Sequence, residues 1–268
     1  MRMESPKVSI ITVVLNGVNT LENTIGSVLN QNYPGIEYVI VDGGSTDGTL
    51  DIIKKYEDRI AKWVSEPDAG IADAINKGIR MSSGNIIGII NADDYYEPGA
   101  VQAVVNASEE HPEAGVIHGD MRLLSREGSE KILKPLSYPE KVIWKHMPFR
   151  HPTVFVRREM YAKYGFFDIS YKIAMDYELM MRFIRQGVSF LYLRQVLANM
   201  RACGKSDRDI FTTFRETKKI ALNNGFNGPK VNGYYYFRTV ERKVGNFLRE
   251  HGLRNIAELY RKIFYSNV

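Results

Sequence analysis

Residues 7–17, Lys7-Val8-Ser9-Ile10-Ile11-Thr12-Val13-Val14-Leu15-Asn16-Gly17, decide how the rest of the chain is read. The run does not alternate apolar with polar side chains, so it does not describe a strand with one wet face. A continuous β-branched run fits a strand covered on both faces, and such strands lie in parallel sheets flanked by helices. Asn16-Gly17 closes it with turn chemistry. Working outward, Leu21, Ile25, Val28 and Leu29 recur at helical spacing, with Asn19 or Thr20 placed to cap that helix. Residues 36–42 (IEYVIVD) read as a second strand, 43–48 (GGSTDG) as a loop and 49–57 as a helix. A short strand at 61–66, a helix at 70–82 that Gly84 helps to end, and a strand at 85–91 follow. Pro98 opens a helix over 98–111, as prolines do at a first turn, and 114–121 is one more strand. This alternation predicts a doubly wound α/β sheet, whose ligands sit beyond the C-terminal ends of the strands. Asn16, Asp42, Asp68 and the Asp93-Asp94 pair fall just past a strand end or in a loop, so they are expected on one edge.

Residues 121–150 break the pattern, with Pro135, Pro139 and Pro148, and read as irregular strands and loops. Residues 151–168 read as a strand, a short helix and a turn, and 174–187 as a helix closed by Gly187. Beyond Arg201 the chain reads as helical. Of 268 residues, 44% are hydrophobic and 25% charged, ordinary for a globular protein with a sizeable core. Cys203 is the single cysteine, which excludes an internal disulfide and suits a reducing compartment. The apolar N-terminal stretch ends at Asn16, too early to span a bilayer or to serve as a secretory leader. No other stretch stays apolar for the roughly 18 residues a membrane-spanning helix needs, so none is expected. The expected location is cytoplasmic, including the cytoplasmic face of the membrane. Net charge is +5, unevenly spread: residues 201–268 hold 14 Lys and Arg against 6 Asp and Glu, and the first 200 residues 22 against 25. The basic character belongs to the tail and points to an anionic surface as its partner.

Four stretches carry candidate chemistry. Adjacent carboxylates past a strand, Asp93 and Asp94, suit a hard cation that takes oxygen ligands, or else a solvated turn or cap before Pro98. In VIVDGGSTDGT the glycines allow close backbone approach to a ligand and Asp47 can order the turn; an Asp/Gly turn capping a helix explains the same residues. No Lys follows those glycines, so this is not a nucleotide-binding Walker loop, and the order of residues does not fit a haloacid-type phosphatase. Asp68 and Asp73 flank Gly70 at a loop-to-helix junction, where a helix N-terminus favours anions such as a diphosphate; a cap at Asp68 and a polar helix face at Asp73 and Asn76 are the plainer account. Asp176 stands near the start of a helix whose Leu179, Met180 and Phe183 face the core. A charged carboxylate is stabilised there, which suits a general base and equally a first-turn cap.

Taken in order, VSIITVVLN, VIVDGGSTDGT, DAGIADAINKGI, NADDYYEPG, HPTVFVRREMYAKYGFFD and MDYELMMR resemble the family 2 glycosyltransferases of the GT-A fold. The resemblance covers roughly residues 7–200 and is closest to bacterial members that build surface polysaccharides. It implies a GT-A catalytic domain over 1–200, a mixed sheet flanked by helices, and a basic amphipathic helical extension over 201–268. It implies an inverting transfer from a UDP-sugar to a hydroxyl of a glycan or lipid-linked saccharide, with Mg2+ or Mn2+. Asp42 is then expected to accept from uracil N3–H, Val13, Val14 and Asn16 to line the uridine, and Asp68 and Asp73 to lie near base, ribose or sugar. Asp93 and Asp94 fill the metal-binding region, and Asp176 matches the catalytic base. The site is expected to be electrostatically strained when empty. Three departures stand out: Asn91 where the pattern begins with Asp, Val13-Val14-Leu15-Asn16 in place of Pro-Thr-Tyr-Asn, and Met175-Asp176 in place of Glu-Asp. The first shifts the metal toward Asp94, with Asp93 on ribose or sugar. His151 either touches the donor phosphates or satisfies a turn before Pro152.

In the tail, Phe237, Val240, Val244, Phe247, Ile256, Leu259 and Ile263 are interleaved with Arg238, Arg242, Lys243, Arg249, Arg254, Arg261 and Lys262, with a break near Gly252. Such a segment either rests on anionic headgroups or packs on the catalytic domain or a second subunit of a homo-oligomer. No nucleic-acid motif accompanies Tyr234-Tyr235-Tyr236, so nucleic acid is not an expected partner. Two other functions use similar carboxylates: a nucleotidyltransferase, whose Arg/Lys-bearing glycine loop is missing, and a non-catalytic sugar-nucleotide-binding protein.

Overall fold

The structure, a computed structural model, describes residues 5–125, 128–136, 143–145, 147–201 and 209–251. Cys203, Pro139, Gly252 and the tail positions Arg254 to Ile263 named above lie outside the described residues. The first strand is β1 (Val8–Val14), buried along its whole length. It pairs in parallel with β2 (Ile36–Asp42) on one side and β4 (Ile86–Ile89) on the other. β3 (Lys62–Ser65) adds to β2. The connecting helices are α1 (Leu21–Leu29), α2 (Thr49–Lys55) and α3 (Ile71–Met81). Neither candidate cap of α1 makes a side-chain capping bond.

The chain then crosses β1, and the strand order reverses between β1 and β4, where ligand crevices form in open α/β sheets. After the two-residue β5 (Tyr95–Tyr96) comes α4 (Ala100–Glu110), which starts at Ala100 because Gly99 takes a left-handed conformation (φ 77°) just before it. β6 (Ala114–Leu124) runs past the expected end at Met121. β7 (Glu130–Leu133) and β8 (Phe155–Arg157) pair antiparallel with it, and β9 (Ser189–Arg201) pairs in parallel along its length. Among the described residues the strand order is β3-β2-β1-β4-β8-β6-β9-β5, with β7 beside β6. The sheet is thus mixed and flanked by helices, as read from the sequence.

Alternate residues of the sheet feed two cores. Ile11, Val13, Val39 and Val41 meet α3 and α6 (Met175–Arg185) on one face. Val8, Ile10, Val14 and Ile40 meet α1 and α4 on the other. α5 (Arg158–Tyr164) follows β8 directly and turns out at Gly165. The extension contributes α7 (Ile210–Asn223) and α8 (Gly228–Glu250). It shares the core of the first 200 residues: Ile220 is buried among the α6 residues, and Ala221, Val231 and Tyr235 close around Trp144. The Tyr235 hydroxyl donates to Lys145 O at 2.7 Å. Among the described residues no helix is long and apolar enough to cross a membrane.

Candidate active site

The C-terminal ends of β1 and β2 are tied together by their own side chains. Asp42, the last residue of β2, is 0% exposed. Its Oδ2 accepts from Gly44 N at 3.1 Å, Ser45 N at 2.9 Å and Ser65 Oγ at 2.6 Å, and its Oδ1 from Ser45 Oγ. Asp42 therefore shapes the 43–46 loop and presents no oxygen to solvent. Asn16, with φ 54°, is likewise used locally: Asn16 N donates to Ser45 Oγ and Asn16 Oδ1 accepts from Thr46 N. Val13 and Val14 are core side chains on opposite faces. What projects at that strand end is Leu15, 61% exposed.

Asp68 is half-buried, and its Oδ1 accepts from Gly70 N at 2.8 Å. Its Oδ2 lies where a Cβ on residue 43 would stand, 2.5 Å from that point, with Leu15 Cδ1 3.5 Å from it. Gly43 thus admits the Asp68 carboxylate to the corner beside Leu15. Asp73 Oδ2 accepts from Ala69 N at 3.1 Å and faces Lys77 Nζ at 3.7 Å, so it orders the 68–70 loop.

Past β4 the two adjacent carboxylates separate. Asp93 is exposed and its carboxylate accepts no hydrogen bond among the described residues. Asp94 is 2% exposed and turned inward. Its carboxylate meets Arg201 N and Asn91 Nδ2, both at 3.3 Å, the long end of hydrogen bonding. Burial, and then the charge of Asp93, push Asp94 up to about 7. The charge of Asp94 is therefore the costly one of the pair, and that of Asp93 stands open to solvent. Arg201, at the end of β9, donates Nη1 to Asp93 O at 2.6 Å and stacks over Tyr95. Thr24 of α1 fixes the same turn, its Oγ1 donating to Asp94 O at 2.6 Å. Among the described residues no three His, Cys, Asp or Glu side chains cluster as a ready metal cage.

On the α3/α6 face, the turn at His151–Thr153 is pinned to β6 by Thr153 Oγ1, which donates to Gly119 O at 3.0 Å. His151 lines a small pocket with Asp176, Met147, Tyr161, Phe167 and Met180. Desolvation pulls the His151 imidazole below the usual histidine range, against the opposing pull of the Asp176 charge. His151 therefore stands beside Asp176. Asp176, in the first turn of α6, accepts from Tyr177 N at 2.7 Å through Oδ1, and its Oδ2 accepts no hydrogen bond among the described residues.

Three features escape the sequence reading. Leu15 is the last apolar residue of its run, and nothing in a both-sides-buried strand says which residue emerges. Arg201 ends a strand whose aromatic and branched residues, SFLYL, were a readable signal. The contact that Glu216 makes with the start of α6, described below, leaves no local signal.

Residues 9–166 match the family model described as Glycosyl transferase family 2. The chain is 33% identical over 182 residues to an uncharacterized glycosyltransferase of Mycobacterium tuberculosis, covering 66% of this chain and 69% of that protein. It is 28% identical over 210 residues to a PGL/p-HBAD biosynthesis glycosyltransferase of Mycobacterium bovis, covering 75% and 79%. Its fold is similar to that of S. aureus TarS 1-349 in complex with UDP-GlcNAc, with TM-score 0.62, 18% identity, and 85% and 70% of the two chains covered. It is also similar to the mannosyltransferase PcManGT of Pyrobaculum calidifontis in complex with GDP-Man and Mn2+, with TM-score 0.62, 17% identity, and 97% and 83% covered. These two neighbours carry the same GT-A architecture.

Proposed function

The chain belongs to glycosyl transferase family 2, and from that premise we propose that this glycosyltransferase moves a sugar from a UDP-sugar to a hydroxyl of a glycan or lipid-linked saccharide, inverting the anomeric carbon. The observation that carries the reading is the division of labour among the carboxylates. Asp42 is spent inside the fold and Asp94 is buried, whereas Asp68, Asp93 and Asp176 each keep an oxygen free at the site.

Asp176 is the general base. It takes the proton of the acceptor hydroxyl as that oxygen bonds to the anomeric carbon and the bond to the UDP oxygen breaks on the opposite face. One displacement completes the transfer, and positioned proton removal of this kind contributes about 10²–10⁴ in rate. His151, held neutral beside it, has one ring nitrogen to donate and one to accept. Leu15 offers an apolar surface to one face of the base, and Asp68 Oδ2 accepts its ring N–H above Gly43. Asp93, an exposed hard oxygen donor, would be the carboxylate that holds a divalent cation. Mg2+ or Mn2+ bound there supplies charge neutralisation to the departing diphosphate. Along α8, Tyr236, Phe237, Val240, Val244 and Phe247 are exposed on a helix that also presents Lys243 to solvent, a composition suited to peripheral contact with anionic lipid near a lipid-linked acceptor.

Calorimetric titration with UDP tests the donor site. Wild type is expected to bind UDP in Mn2+ and lose it in EDTA, and Asp93→Ala to lose the metal-dependent part. No UDP binding under either condition removes the donor assignment.

A further inference from the structure

α6 carries the candidate base yet has no cap of its own. Its N-cap residue is Ala174, and the preceding Lys172-Ile173 offers no hydroxyl, amide or carboxylate oxygen either. The first amides of a helix lack intrahelical partners, and leaving them unpaired inside a protein costs free energy. Here the extension holds the N-cap amide and the two before it, while the Tyr177 amide goes to Asp176 Oδ1. Glu216 of α7 accepts from Lys172 N at 2.8 Å through Oε1, and from Ile173 N at 3.0 Å and Ala174 N at 2.9 Å through Oε2. One carboxylate thus holds three consecutive amides from 42 to 44 residues away. Four residues on, on the same side of α7, Ile220 is buried against the core that contains α6. The far end of α6 is tied to the same segment: Arg185 donates Nη2 to Asn224 O and stacks over the Phe226 ring at 4.7 Å.

We propose that Glu216 is a positioning residue for the transfer reaction: from the extension it holds residues 172–174, the turn that leads into the base-bearing helix, and so fixes where that helix begins and where Asp176 presents Oδ2 to the acceptor proton. The proposal rests on the reading of Asp176 as the base. Asp176 Oδ1 already takes the Tyr177 amide, which leaves one oxygen for the acceptor, and a second backbone N–H on the carboxylate would make it a poorer proton acceptor. Holding the 172–174 turn in trans fixes the direction in which that remaining oxygen points. It also makes α7 part of the catalytic machinery, although the family model ends at residue 166.

The test uses the full chain and counts active sites by UDP calorimetry. Initial rates are measured with a UDP-sugar that the wild type turns over, for wild type, Glu216→Ala and Glu216→Gln. The expected result for Glu216→Ala is a fall in kcat per UDP-binding site of about tenfold to a hundredfold, the scale of a misplaced catalytic group. UDP affinity and donor KM stay within about twofold. Glu216→Gln keeps one acceptor oxygen and falls between the two. A purely structural role would lower the number of UDP-binding sites and leave kcat per site unchanged, and that result overturns the proposal. If Glu216→Ala does not fold, Glu216→Gln decides by the same criterion. A wild type that turns over no UDP-sugar overturns the functional reading, and the proposal falls with it. A competent wild type with unaffected Glu216 variants overturns the proposal alone.

Discussion

Glu37 near the N-terminal edge of the sheet and Asp94 at the C-terminal edge are equally hidden, 3% and 2% exposed, and behave oppositely. Burial alone would raise the pKa of Glu37. Ser9 Oγ, the Ser83 amide and hydroxyl, and Lys7 outweigh that and hold it at about 2. Asp94 has two long contacts and a like charge beside it, and burial pushes it to about 7. The N-terminal edge has satisfied its charge within the protein. At the C-terminal edge Asp42 is fully bonded, but Asp94 is underpaired and Asp93 open to solvent, which favours a ligand that brings cations and donors of its own. The contrast separates a structural edge from a functional one: Glu37 should stabilise the fold through its partners, whereas buried Asp94 costs stability at neutral pH and the open charges near it matter for chemistry.

The sharpest way to break that contrast is Asp176→Asn. It should lower kcat by about 10³-fold, within the range for loss of a general base, while UDP binding and the thermal midpoint stay near wild type. Transfer at the wild-type rate would remove Asp176 from the mechanism. Next comes Asp94→Asn. The folded value of Asp94, about 7, lies above its ordinary value of 3.8, so its contribution to stability is present below pH 4 and is lost as pH rises through about 7. Replacing it with a neutral isostere should raise stability by about 3 kcal/mol at pH 8, with the gain shrinking toward pH 4, as read from denaturant midpoints. A constant difference across that range would mean that the group does not titrate as placed. Glu37→Gln should act in the other direction. Its folded value lies below the ordinary 4.5, so its contribution is present above that pH and fades as pH falls through about 2. A loss of about 2 kcal/mol at pH 7 is expected, below the full shift because Lys7 and Lys62 stand half open to water. If Glu37→Gln left stability unchanged and abolished transfer, the two edges would not divide as described.

The parallel half of the fold was legible because burial on both faces leaves a direct mark: an unbroken β-branched strand, then a helix at 3.6-residue spacing, repeated. The positions of the carboxylates past those strands were legible for the same reason. Their orientation was not. Asp42 turns inward because the Gly44 and Ser45 amides and two serine hydroxyls reach it, and Ser65 comes from a neighbouring strand. Asp93 and Asp94 point to opposite environments because Arg201, 107 residues on from Asp94, closes over the turn.

The amino-acid sequence by itself determined the doubly wound architecture, the edge on which the polar residues gather, and the helix that bears Asp176, because each is written in local periodicity and turn chemistry. Only the tertiary structure decided which carboxylates stay free, that Leu15 and Asp68 meet over Gly43, and that Glu216 holds the turn leading into the helix of Asp176. Those outcomes depend on hydrogen-bond partners brought together from distant parts of the chain, and a contact across tens of residues leaves no imprint on the spacing of either partner.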